Sequence, residues 1–239
     1  MGGPINLAAC YRLVALYGMN DMAANHISAR VPGTQDQFLI NAYGMFYEEI
    51  TASSLIKIDL DGNVIWKPDS ITASTQAGFV IHSAVHAARH DVDCVIHTHT
   101  AAGMAVASMK CGLLPLTQTA MRFAAIAYHD YEGVALDLDE RARLVADLGE
   151  ADAMILRSHG LLTVGATIAQ AFNAMHRLEL ACQTQVMTMT AGAELIVPAA
   201  DLVERTAALY KPTVRRPFGI LEWPGLLRQL DRRDPSYRN

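Results

Sequence analysis

Apolar residues recur along this chain at two spacings, and the switches between them lay out its elements. Positions 7–17 repeat at helical spacing and stop at Gly18, which predicts a first helix. HISARV alternates and predicts a strand, PGTQDQ a turn, and FLIN a second short strand. LIKIDL and NVIW, separated by Asp61-Gly62, carry a strong hairpin signal. Beyond Pro68 the period lengthens: QAGFVIHSAVHAARH predicts a helix, CVIH a buried strand, and AAGMAVASMK a helix closed by Gly112. FAAIAYHD predicts a strand and DLDERARLVADLG a helix with acidic residues in its first turn. AMILRSHGLLTVG predicts two strands meeting at Ser158-His159-Gly160. One long helix follows from Thr167 to about Met189, with a further helix in DLVERTAALY and a short last one in WPGLLRQLDRRD.

This single run of mixed strands and helices, with no linker or repeat, predicts one α/β domain over 1–239 with a mixed sheet. The segment from about 200 to 239 is expected to pack at a subunit interface. A chain of 239 residues is long enough for a substantial core. Its net charge of −5 and lack of a basic patch argue against nucleic acid and anionic membrane as partners. The first twenty residues have no basic stretch ahead of their apolar one, so they read as a helix rather than a signal peptide. No apolar stretch approaches a membrane span. Cys10, Cys94, Cys111 and Cys182 are scattered without CxxC spacing, which fits a reducing, cytoplasmic setting.

The nine histidines change the picture. His97 and His99, in VIHTHT, would project from one face of a strand end. His159 sits beside a glycine at another strand end. Three imidazoles from two strand ends are what a catalytic metal site needs, with an open position left for water or substrate. His82 and His86 share a helix face, but the glutamate of HExxH is absent, which points to packing or supporting roles. Ser158 next to His159 is no triad, because neighbours in a strand point to opposite faces. The chain has no P-loop, no GxGxxG after a strand and no GxSxG.

Taken in order, NHISAR, FLINAYGMFYEEIT, IKIDLDGNV, IHTHT and SHG resemble the class II aldolase/adducin family, from the first helix to about Met189. The resemblance implies a three-layer α/β/α fold around a mostly antiparallel or mixed sheet, and a homotetramer with active sites between neighbours. It implies one divalent metal ion per subunit, held by His97, His99 and His159; zinc, manganese, iron and cobalt all suit three imidazoles. Family members include sugar-phosphate aldolases, a dehydratase, decarboxylases of aromatic acids and the non-enzymatic adducins.

The departures from the sugar-phosphate aldolases guide the functional expectation. Their catalytic glutamate falls near Gly78 here, and their preceding serines fall at Gln76 and Ala77. Their Gly-Asn pair is Asn25-His26, and their second-loop Ser-Gly is Tyr43-Gly44. A phosphate cradle needs small residues that let backbone approach the anion, so a phosphorylated sugar is not the expected substrate. Asn25, Tyr43, Gln76 and Arg122 are the expected substrate-binding residues for a small carboxylate. His26 or His82 would transfer protons in place of the glutamate. Tyr237 is the candidate, by its C-terminal position, for a proton donor to a neighbouring site, with a packing role as the alternative. His129 is a weaker candidate, equally suited to a structural turn. The expected activity is a metal-dependent carbon–carbon lyase, decarboxylase or retro-aldolase, acting through a stabilised enolate. A sugar-phosphate aldolase, a hydro-lyase or oxygenase, and an adducin-like interaction module are the alternatives.

Overall fold

A computed structural model describes residues 3–71, 79–133 and 140–239. Gln76, Ala77 and Gly78, where the aldolase serine and glutamate positions were expected, lie outside the described residues.

In chain order the elements are α1 (Pro4–Leu16), β1 (His26–Arg30), β2 (Gln37–Ile40), β3 (Ile56–Asp59), β4 (Val64–Trp66), α2 (Phe79–Ala88), β5 (Cys94–Thr98) and α3 (Ala101–Ala107). There follow α4 (Gln118–Met121), β6 (Ala127–His129), α5 (Glu140–Leu148), β7 (Ala153–Leu156), β8 (Gly160–Gly165), α6 (Ile168–Thr190), α7 (Ala200–Ala208) and α8 (Trp223–Arg233). The strands form a sheet ordered β4-β3-β2-β1-β5-β8-β7-β6. Among the described strands every pairing is antiparallel except that of β6 with β7. The expected mixed sheet with helices on both faces is therefore observed.

The central strands are almost wholly buried because both faces are covered, and their two-residue period sorts their apolar residues between two cores. On one face Cys94, Ile96, Ala153, Ile155 and Leu161 join residues of α1, α6 and α8. On the other, Val95, Met154, Leu156, Leu162 and Val164 pack with Ile81 and Val85 of α2 and Leu144 and Leu148 of α5. Each such fully buried aliphatic side chain contributes about 1.5–3 kcal/mol.

Two features aim the sheet's functional end. Tyr11 of α1 is fully buried, and its hydroxyl accepts from the backbone N–H of Ile27 (3.1 Å) and Asn41 (3.0 Å), tying the helix to β1 and to the end of β2. Between β7 and β8 the chain turns tightly: Ser158 has a left-handed φ of 55°, and the His159 N–H donates to the Leu156 carbonyl at 3.1 Å. Gly160 is required there, since a Cβ would lie 2.4 Å from the Thr98 carbonyl oxygen. The C-terminal segment closes back on α1. Arg12 bonds Asp234 (3.1 Å) and Ser236 (3.0 Å), and the Trp223 indole donates to Asn6 (2.8 Å).

Candidate metal centre

The residues of VIHTHT alternate between two environments. Thr98 and Thr100 face α6: the Thr98 hydroxyl lies 3.2 Å from the Met175 sulfur, and the Thr100 hydroxyl donates to the buried Glu179 carboxylate. Thr100 also caps α3, accepting from the Gly103 N–H at 3.1 Å. His97, and His99 just beyond the strand, project the other way, where the β7–β8 turn delivers His159.

The three Nε2 atoms converge. They are 2.8 Å apart for His97 and His99, 3.0 Å for His99 and His159, and 3.3 Å for His97 and His159. Nitrogens bound tetrahedrally to a metal at 2.0–2.1 Å would lie about 3.3 Å apart. The outer nitrogens settle the tautomers. His97 Nδ1 lies 2.9 Å from the Leu161 carbonyl oxygen, and His99 Nδ1 lies 3.3 Å from the Asp21 carboxylate. Both acceptors require a hydrogen on Nδ1, which leaves the two Nε2 lone pairs facing each other at 2.8 Å. That contact is repulsive unless a cation accepts both, so the donor set fits a divalent metal ion. Among the described residues this is the one such cluster of histidine, cysteine or carboxylate groups. Burial pushes the His159 imidazole down to about 4, with His99 adding to the effect, and holds His97 well below the usual histidine range. Neutral imidazoles are the form that binds metal.

His26 joins this group from β1. The antiparallel register sets it opposite His97, and the two rings stack with centroids 5.9 Å apart. Its Nδ1 is buried without a hydrogen-bond partner, and burial, followed by His99 and His159, pushes its pKa down to about 4. Asn25 is fully buried; its Oδ1 accepts from the Asp21 N–H while its Nδ2 is unpartnered. His82 meets His26 edge to face at 5.7 Å, but its Nδ1 is engaged by Ser28 Oγ at 2.6 Å. The same hydroxyl lies 2.8 Å from His86 Nε2, and Phe38 stacks on His86 at 4.3 Å. Tyr43 is exposed in the loop after β2, at the sheet end that carries His26.

Three expected residues lie elsewhere. Arg122 follows α4 and faces Gly165, at the far end of β8 and about 20 Å from His159 at strand spacing. The expectation that it contacts substrate at the histidines is corrected accordingly: sequence order does not reveal toward which end of the sheet a connecting segment runs. Tyr237 is fully buried beneath α1 with its hydroxyl donating to Asp231 at 2.8 Å. That fits its packing alternative. His129 bridges Asp147 (2.7 Å) and Glu140 (3.3 Å) of α5, a structural arrangement.

Asp21, Thr100, Glu179 and the Leu161 carbonyl support the ligands and escaped the sequence reading. The second threonine of HTHT was the available signal, since a threonine just before a helix reads as its cap.

Comparisons with known proteins supply the family. Residues 5–186 match the model of the Class II Aldolase and Adducin N-terminal domain. A Pseudomonas aeruginosa protein provisionally named as a class 2 aldolase is 50% identical over 238 residues, covering 98% of this chain and 91% of its own. Alpha-adducin of Rattus norvegicus is 44% identical over 187 residues, 78% of this chain but only 25% of the adducin. Among solved structures, an aldolase II superfamily protein from Pseudomonas syringae superposes with a TM-score of 0.91 at 46% identity, covering 99% of this chain and 94% of that one. The L-fuculose 1-phosphate aldolase of Glaciozyma antarctica superposes at 0.86 with 27% identity, covering 99% and 91%. The chain belongs to the class II aldolase and adducin family.

Proposed function

We propose that the protein is a divalent-metal-dependent carbon–carbon lyase acting on a small non-phosphorylated hydroxy- or oxo-carboxylate, by decarboxylation or retro-aldol cleavage. The observation that carries this reading is the convergence of the Nε2 atoms of His97, His99 and His159 within 3.3 Å of one another. These three residues would hold the ion. When bound, a divalent cation supplies Lewis acidity to a substrate oxygen next to the breaking carbon–carbon bond.

The rest falls to the chain's own groups. His26 is neutral at pH 7, partly exposed, and among the described residues has no hydrogen-bond partner on its ring, so it is the imidazole we assign to hold a substrate proton. His82, tied to Ser28, backs the His26 ring and orients it. Asn25 Nδ2 can donate to a substrate oxygen. Histidine at 26 and tyrosine at 43 replace the small residues a phosphate cradle uses, which supports a substrate without phosphate. A homotetramer belongs to the same proposal and is checked by light scattering.

The test uses the full chain, loaded in turn with zinc, manganese, iron(II) and cobalt, against hydroxy- and oxo-carboxylates and phosphorylated sugars. Carbon dioxide and aldehyde are read separately. Release of either from an acid, lost on chelation, is expected. Turnover of a phosphorylated sugar with none of any acid overturns the substrate class, and failure to take up any divalent metal overturns the lyase.

A second reading, an interaction module of the adducin type, is favoured by one observation. The chain is 44% identical to alpha-adducin over 187 residues. Metal uptake without turnover of any compound would support that reading.

A further inference from the structure

Arg122 was expected to bind substrate, yet it lines a separate cavity at the opposite end of the sheet. The cavity has a volume of about 190 Å³ and lies between the β8–α6 turn and the segment carrying Tyr210, Pro212 and Phe218. The Arg122 side chain is 10% exposed, and its guanidinium lies over the rings of Phe123 (5.3 Å) and Phe218 (5.6 Å). Among the described residues its one hydrogen bond runs from Nη1 to Asn173 Oδ1 at 2.8 Å. Asp152 forms an ion pair with Nη2 at 3.7 Å, longer than a direct hydrogen bond, and is itself 62% exposed. A guanidinium has five N–H donors in a fixed fork, so one hydrogen bond to Asn173 and one long ion pair to a solvent-exposed aspartate leave this nearly buried group with donor capacity facing an open space. Burial accordingly pushes its pKa below the usual arginine value.

The surroundings define what would fill that space. Gly165, Ala166 and Gln170 bring the start of the 23-residue α6 to the cavity, with the positive end of its dipole. Val92, Val164 and Phe218 supply apolar wall. Arg89 also lines the cavity, but Asp91 holds it through two hydrogen bonds of 2.8 and 2.7 Å. Two aspartates at the rim, Asp91 and Asp152, oppose a doubly charged guest. We propose that the cavity around Arg122 binds a small monocarboxylate with an apolar body, its carboxylate forked by the guanidinium and its body against Phe218. This site is independent of the histidine centre and of the reaction proposed there.

The test titrates benzoate, and separately inorganic phosphate, into the full chain by calorimetry, before and after chelation of divalent metal. Binding of benzoate that survives chelation is expected. Arg122→Gln should weaken it roughly ten- to hundredfold, the usual loss for a hydrogen-bonded charge. Ala166→Phe, placed at the exposed rim to fill the cavity, should abolish it with Arg122 intact, which keeps the test decisive if Arg122→Gln unfolds. Benzoate binding insensitive to both substitutions, or no benzoate binding after chelation, overturns the proposal. Phosphate binding in preference to benzoate overturns the ligand class.

Discussion

Two histidine clusters stand close together in this molecule and are built for opposite ends. In the first, His97, His99 and His159 aim their Nε2 atoms at one point, and the outer nitrogens of His97 and His99 are committed to a carbonyl and a carboxylate. In the second, His82 and His86 share the Ser28 hydroxyl and are almost wholly buried between α2 and the sheet. The residue type is the same. The difference lies in where the lone pairs point, and in whether a neighbouring protein group already uses them. Convergent unshared acceptors make a cation site, whereas two ring nitrogens sharing one serine hydroxyl, which donates to one and accepts from the other, make a buried strut.

The sharpest break comes from removing one ligand. His99→Ala should weaken divalent-metal binding by more than the roughly hundredfold upper range of supporting residues, as read by competition with a chromophoric chelator. His86→Leu should leave that affinity within a factor of a few. Equal losses would erase the distinction between the clusters. Next in size, Ser28→Ala leaves ring nitrogens of both His82 and His86 unpaired in the interior. It should cost about 3 kcal/mol in urea unfolding, with metal affinity retained.

A subtler change tests the support behind the ligands. Thr100→Val removes the hydroxyl that links Glu179 to the residue after His99. Metal affinity should fall roughly ten- to hundredfold, and Thr100→Ser should restore it. A fall in thermal stability with unchanged affinity would reduce Thr100 to a helix cap. The last effect is pH-dependent. Burial, then Arg30, pushes His86 down to about 3, so the folded state resists its protonation. Its contribution to stability is complete above the unfolded value near 6.5 and is lost as pH falls from there toward 3. Unfolding free energy should drop by about 1.4 kcal/mol more per pH unit in the wild-type protein than in His86→Leu across that window. Parallel pH profiles would show that His86 is not held neutral.

Much of this was legible in the residues. Periodicity marked both strands around Ser158-His159-Gly160, the hairpin at Asp61-Gly62 and the long helix after Thr167, because each encodes its own local geometry. HTHT and SHG could be linked because each follows a buried strand. The supporting carboxylates were not legible. Glu179 reads as one charge on a helix and becomes a buried acceptor only where α6 crosses Thr100. Arg122 was misplaced for a related reason: it reaches a position set by how distant segments pack, against Asn173.

The sequence by itself determined the elements, the two faces of each central strand and the shared face of His97 and His99, since these follow from spacings of two and 3.6 residues. Strand order and register decided the rest. Pairing β1 with β5 sets His26 across from His97, seventy-one positions along the chain, and pairing β5 with β8 brings Gly160 and its histidine neighbour to the same edge. Such pairings depend on which faces can be buried together across the whole molecule, and no local pattern carries that information.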